Sequence, residues 1–111
     1  MKMDKANIKS LFIIVNAGYS DEVVGIARAL GATGATILQA RGEGSRHEVV
    51  MGITVDAEKE MILCLVTEQV ADKIMAAVKE RAGIKTPAHG VCFTMPVDKI
   101  MGIAPAPLPP A

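Results

Sequence analysis

Two short polar stretches carry most of the side chains suited to ligand chemistry, Arg41-Gly42-Glu43-Gly44-Ser45-Arg46-His47 and Thr86-Pro87-Ala88-His89-Gly90. Each holds one of the chain's two histidines, His47 and His89, whose imidazoles suit anion binding. Arg41 and Arg46 bracket the turn, and a guanidinium matches phosphate or carboxylate geometry. Gly42 and Gly44 flank Glu43, where the backbone needs a positive φ or a close approach to a ligand. A metal reading would combine the histidines with Glu43 or Glu48. Metal sites usually take three or four protein ligands, and two histidines without fixed spacing fall short of that, so no metal ligand is assigned. Cys64 and Cys92 each lie in an apolar run and read as small hydrophobes, with no CxxC pair between them. Met51, Met61, Met75, Met95 and Met101 are scattered and read as core filling. No nucleophile elbow, Walker loop, dinucleotide fingerprint or HExxH occurs, so no catalytic residue is assigned and the chain is not expected to be an enzyme.

These loops need a scaffold, and hydrophobic periodicity supplies one. Ile8 to Val15 is a β-rich apolar run ending at the turn Asn16-Ala17-Gly18. Ser20 caps a first helix, with Asp21 and Glu22 at its positive end, Val23, Ile26, Ala27 and Leu30 at helical spacing and Gly31 as its stop. Thr36 to Ala40 is a short strand leading into the first polar stretch, and Val49 to Val55 reads as the returning strand. After a charged turn at 56–60, Met61 to Val66 is a continuous apolar strand. Thr67 and Glu68 then open a second helix whose buried face is Val70, Ala71, Ile74, Ala77 and Val78. Gly83 ends that helix, and Val91 to Met95 is the last strand. Strand, capped helix and strand thus occur twice. The fold class is α+β, a ferredoxin-like βαββαβ domain with a four-stranded antiparallel sheet.

Two helices cover one face of such a sheet, yet Leu11 to Val15 and Met61 to Val66 do not alternate apolar with polar, so both faces of these strands call for burial. A second copy of the chain is the expected cover. With 111 residues the chain is one domain, residues 1–103, followed by a proline-rich tail, residues 104–111. Twelve basic residues balance twelve acidic ones, which gives no field to attract nucleic acid. Leu11 to Val15 is too short for a signal-peptide core and nothing approaches a membrane span, so a reducing cytoplasm is the expected location.

The run Gly31-Ala32-Thr33-Gly34-Ala35-Thr36, followed by Gly42-Glu43-Gly44, resembles the segment of PII signal transduction proteins in which a TGxT turn leads through a strand to a GxG at the base of the T-loop. Gly90-Val91-Cys92-Phe93-Thr94-Met95-Pro96-Val97 is similar to the final PII strand. The resemblance to this nitrogen regulatory superfamily implies a homotrimer with a small-molecule effector, an adenine nucleotide, in the clefts between subunits. It also implies control of a partner protein, such as a transporter or enzyme, through the loop. Together with the side-chain chemistry of Arg41, Arg46 and His89, it gives ligand contacts at Thr33, Gly34, Ala35, Thr36, Arg41, Gly42, Gly44, Arg46, Leu65, Val66, His89 and Gly90. Val91 stands where the family has a phosphate-binding lysine, and Gly102 and Ala104 stand where it has an arginine pair. Charge-assisted phosphate contacts are the strong ones, so AMP or ADP is the expected ligand over ATP, with no obligatory cofactor. The segment from Gly44 to Met61 is short for a full T-loop and holds no tyrosine, so the family's tyrosine modification does not carry over. The alternative is a trimeric metal-responsive protein resembling the divalent-cation tolerance family, which shares the fold.

Overall fold

The protein is described by a computed structural model over residues 7–42, 48–50, 53–55 and 57–102, with side chains described except at 48–50, 53–55 and 57. The expected proline-rich tail and loop residues 43–47 lie outside these residues. The elements are β1 (Ile8–Asn16), α1 (Ser20–Ala29), β2 (Thr36–Gly42), β3 (Glu48–Val50), β4 (Ile53–Val55), β5 (Ala57–Thr67), α2 (Glu68–Ala82) and β6 (Val91–Pro96).

Four of the strands form one antiparallel sheet in the order β2-β5-β1-β6, the ferredoxin-like arrangement expected from the sequence. The expected returning strand does not join it. Residues 48–50 and 53–55 pair with each other in a separate two-stranded sheet, and the strand beside β2 is β5. That strand begins at Ala57, so Ala57 to Glu60, read from sequence as part of a turn, belongs to the sheet. Strand alternation explains why a charged segment can hold this geometry. Lys59 points to one face, where its Nζ donates to Asn16 Oδ1, and Glu60 points to the other, where it meets Gly18 and Ser20.

Helix α1 starts at Ser20 as read, although Ser20 does not cap it. The N-cap position is Tyr19, which makes no side-chain cap bond, and the Ser20 hydroxyl donates instead to Glu60 Oε2 at 2.9 Å. Gly31 ends α1 in a left-handed conformation, φ +121°, that a side chain would strain. Helix α2 is capped as expected, with Thr67 Oγ1 accepting from the Val70 N–H at 3.3 Å.

Both helices lie on one side of the sheet. Register sets which side chains meet them: Leu11 pairs with Cys64 and Ile13 with Ile62, and Val15 shares their parity. These residues pack with Val23, Ala27, Ile74 and Val78 into the core. Each large aliphatic side chain buried there stabilises the fold by about 1.5–3 kcal/mol. The opposite, outer face carries Phe12, Ile14, Leu38, Met61, Leu63, Leu65, Val91, Phe93 and Met95 by the same registers. Phe12 and Phe93 stack there with ring centroids 5.0 Å apart. In the single chain this face stays open, with Leu38 49%, Phe93 40% and Met95 50% exposed.

Candidate functional site

Strand direction divides the predicted ligand residues into two groups. β2 runs parallel to β1, and β5 and β6 run antiparallel to both, so one end of the sheet gathers Asn16, Arg41, Gly42, Lys59 and the loop 83–90. The opposite end holds Thr36, next to Leu63 in register, and Leu65, next to Ser10, with the Thr33–Ala35 turn leading into β2. Thr36 and Gly42 lie on the same outer face, six residues apart along β2, roughly 20 Å at the usual strand rise.

At the Thr36 end, Thr33, Gly34 and Thr36 are exposed and Ala35 packs against the core. Leu65 faces outward and is half-buried. Val66 is 3% exposed and faces the helices, because strand alternation turns it away from Leu65. Its side chain is core, so the ligand contact expected of Val66 is corrected.

At the other end, Arg41 is exposed and Gly42 half-buried, while Gly44 and Arg46 lie outside the described residues. Gly42 has no positive φ. A Cβ there would stand 3.3 Å from both Cγ and Cε of Lys59, so the glycine makes room for the lysine stem. The loop from Gly83 to Gly90 is closed on itself. Thr86 donates to the Gly83 carbonyl with its N–H at 3.0 Å and its hydroxyl at 2.8 Å, and the His89 N–H donates to the Thr86 carbonyl at 3.0 Å. The Gly90 N–H donates to the Ala82 carbonyl at 2.7 Å, and a Cβ on Gly90 would lie 2.1 Å from that same oxygen. The ligand contact expected at Gly90 is therefore corrected: its amide is taken, and its lack of a side chain lets strand and helix end meet. His89 projects from this closed loop with a positive φ of 50° and is exposed.

Asn16, Lys59 and Glu60 were not among the predicted site residues. Asn16 bonds to the second loop through its N–H to Ala88 O and its Nδ2 to Pro87 O, both at 2.8 Å, and accepts from Lys59. Glu60 accepts the Gly18 N–H at 2.6 Å, and that bond first, then the Ser20 hydroxyl, holds its carboxyl below the usual carboxylate range. The only sequence signal for Lys59 and Glu60 was a charged segment where a strand could alternate, and Asn16 showed only as part of a turn. Burial pushes the Cys64 and Cys92 thiols up, in keeping with packing rather than reactivity. An open groove of about 390 Å³ lies on the helix side, lined by Met75, Ile84 and Cys92 among others, away from the outer face. Among the described residues no three His, Cys, Asp or Glu side chains gather as metal ligands, and no helix is long and apolar enough to cross a membrane.

The profile of the nitrogen regulatory protein P-II family matches residues 8–106, nearly the whole chain. The chain belongs to the P-II family. Among solved structures it is similar to CPII, a nitrogen regulatory PII-like protein from Thiomonas intermedia K12 bound to ADP, AMP and bicarbonate, with 20% identity and a TM-score of 0.66 over 86% of this chain and 96% of that one. A PII-like signaling protein from Thermus thermophilus aligns with 23% identity and a TM-score of 0.63 over 81% of this chain and 85% of that one. GlnK from B. subtilis, in complex with ATP, aligns with 14% identity and a TM-score of 0.63 over 84% and 86%. No curated protein sequence matches the chain. At these identities the P-II likeness of the three structures carries the fold.

Proposed function

We propose that this P-II family member is a homotrimeric regulator that binds AMP or ADP in clefts between subunits and acts on a partner protein through the loop from Gly42 to Glu48. The observation that carries this reading is the division of the outer face. Thr36 and Leu65 stand at one end of it, Gly42 and His89 at the other, and an apolar surface lies between. A ligand touching both groups needs the far end of a second chain. A second chain also covers Phe93, Leu38 and Met95, which soluble monomers rarely leave open together.

The choice of a nucleotide with few phosphates rests on Val91, which is half exposed on the outer face where the family places a lysine. The nucleotides in the CPII structure support the same class of ligand. Calorimetry of the purified protein against AMP, ADP and ATP at fixed salt tests the ligand, and light scattering tests the assembly. AMP or ADP binding tighter than ATP, on a particle of three chains, is the expected result. ATP binding tightest, or a stable monomer, overturns the corresponding half of the reading.

Deleting Ser45 to His47 tests the partner contact, because the loop is polar and its flanking strands belong to the fold. The trimer remains and capture of the partner from the native cell is lost. Unchanged capture assigns the contact to another surface.

A further inference from the structure

Three bonds converge on Asn16, at the C-terminal end of the central strand β1. Its backbone N–H donates to the Ala88 carbonyl and its Nδ2 to the Pro87 carbonyl, both at 2.8 Å, while its Oδ1 accepts from Lys59 Nζ. A side-chain amide does both last tasks at once, since it offers an acceptor to the ammonium and a donor to the carbonyl. Aspartate would accept from Lys59 but repel the Pro87 carbonyl. The two partners also fix which way the amide points, because the flipped group would set NH₂ against ammonium and oxygen against oxygen.

What Asn16 joins is two parts of the polar end of the outer face. Asn16 and Lys59 are direct partners in the β1–β5 register, and the Lys59 stem packs where a Gly42 side chain would be. On the other side, the two carbonyls tied to Asn16 belong to the residues immediately before His89. One side chain therefore sets both a cation beside Gly42 and the loop that presents the imidazole. Among the described residues no other lysine is bonded at this end, and Val91 supplies none.

We propose that Asn16 is the positioning residue of the nucleotide site, fixing the Lys59 ammonium and the His89 loop together so that both face the ligand's phosphate groups. The proposal rests on the nucleotide reading given above. Lys59 takes the phosphate contact that Val91 cannot make, and Asn16 acts through Lys59 and the loop without touching the ligand itself.

The test compares ADP with adenosine, which lacks phosphate, by calorimetry on the intact protein and on Asn16→Ala, Asn16→Asp, Lys59→Met and the Asn16→Ala/Lys59→Met pair. Circular dichroism and light scattering first establish that each variant is folded and assembled as the wild type. Asn16→Asp, nearly isosteric, serves if Asn16→Ala does not fold. Each single variant is expected to lose about tenfold in ADP affinity, the scale of one charge-assisted hydrogen bond, with adenosine binding unchanged. The double variant loses less than the product of the two single losses. Equal losses for ADP and adenosine would reduce Asn16 to a structural residue, and fully multiplicative losses would uncouple it from Lys59; either overturns the proposal. Wild-type protein that binds neither compound overturns the nucleotide reading and this proposal with it. Wild-type binding of ADP that Asn16→Ala leaves intact overturns this proposal alone.

Discussion

Glu60 clamps the turn at Gly18: one carboxylate oxygen accepts the Gly18 N–H at 2.6 Å while the other accepts the Ser20 hydroxyl at 2.9 Å. The carboxylate thereby ties β5 to the start of α1 across 42 and 40 residues of sequence. These bonds favour the charged form, so the folded pKa lies below the unfolded one. The folded state then binds fewer protons, and this contribution is fully present above the unfolded value, near 4.5, and lost as pH falls through the folded value. Urea denaturation at pH 7 and pH 3.5 checks it. Wild-type protein should lose more stability over that interval than Glu60→Gln, whose uncharged side chain has no proton to take up. Equal losses would mean that the clamp contributes nothing to acid sensitivity.

Two glycines with opposite surroundings make a paired prediction. A Cβ at Gly90 would lie 2.1 Å from the Ala82 carbonyl oxygen, whereas one at Gly34 meets nothing within 4 Å and no positive φ is involved there. Gly90→Ala should destabilise the protein by about 2–4 kcal/mol, because backbone must move. Gly34→Ala should stay within about 0.5 kcal/mol. Thermal melts of the two variants separate steric necessity at Gly90 from any ligand role at Gly34.

The two faces of the sheet predict different failures for neighbouring side chains. Ile13 is fully buried in the core, and truncation to alanine should cost about 2–5 kcal/mol in a chain that still assembles. Leu63 points to the outer face, half-buried, beside Phe12 in register. Leu63→Asp should leave the circular dichroism spectrum of the fold intact while sedimentation shows smaller particles, since the charge enters the face proposed to pack against a second chain rather than the core. A Leu63→Asp protein that remains fully assembled would put that side chain in water.

The sequence patterns that proved readable are those with one local cause. The apolar runs of β1, the distal part of β5 and β6, the Thr67 cap and the Gly31 stop each follow from neighbours a few residues away. Ala57 to Glu60 resists such a reading because its sheet partners are decided by distant residues: it becomes strand by pairing with β1 and β2, and Lys59 and Glu60 are met by Asn16, Gly18 and Ser20. Gly90 invites a ligand role, since a glycine before a strand signals close approach without saying what approaches. Here it is the Ala82 carbonyl. Val66 goes with Leu65 by adjacency, although adjacent strand residues face opposite ways. Asn16 carries no signal at all beyond its place in a turn.

The alternation at the start of β5 limits how this chain can change length. Lys59 faces the outer side and Glu60 the helix side, just where the chain re-enters the sheet after the loop. Deletion of Glu60 would slip the upstream segment by one register, turning the Glu58 carboxylate toward Asn16 and the Lys59 ammonium toward the Gly18 amide. Lengthening before Ala57 leaves both partnerships untouched. The loop can therefore grow, shrink or acquire a new recognition sequence on the upstream side, while Lys59 and Glu60 are held at a fixed count before Met61 by the two faces they must serve.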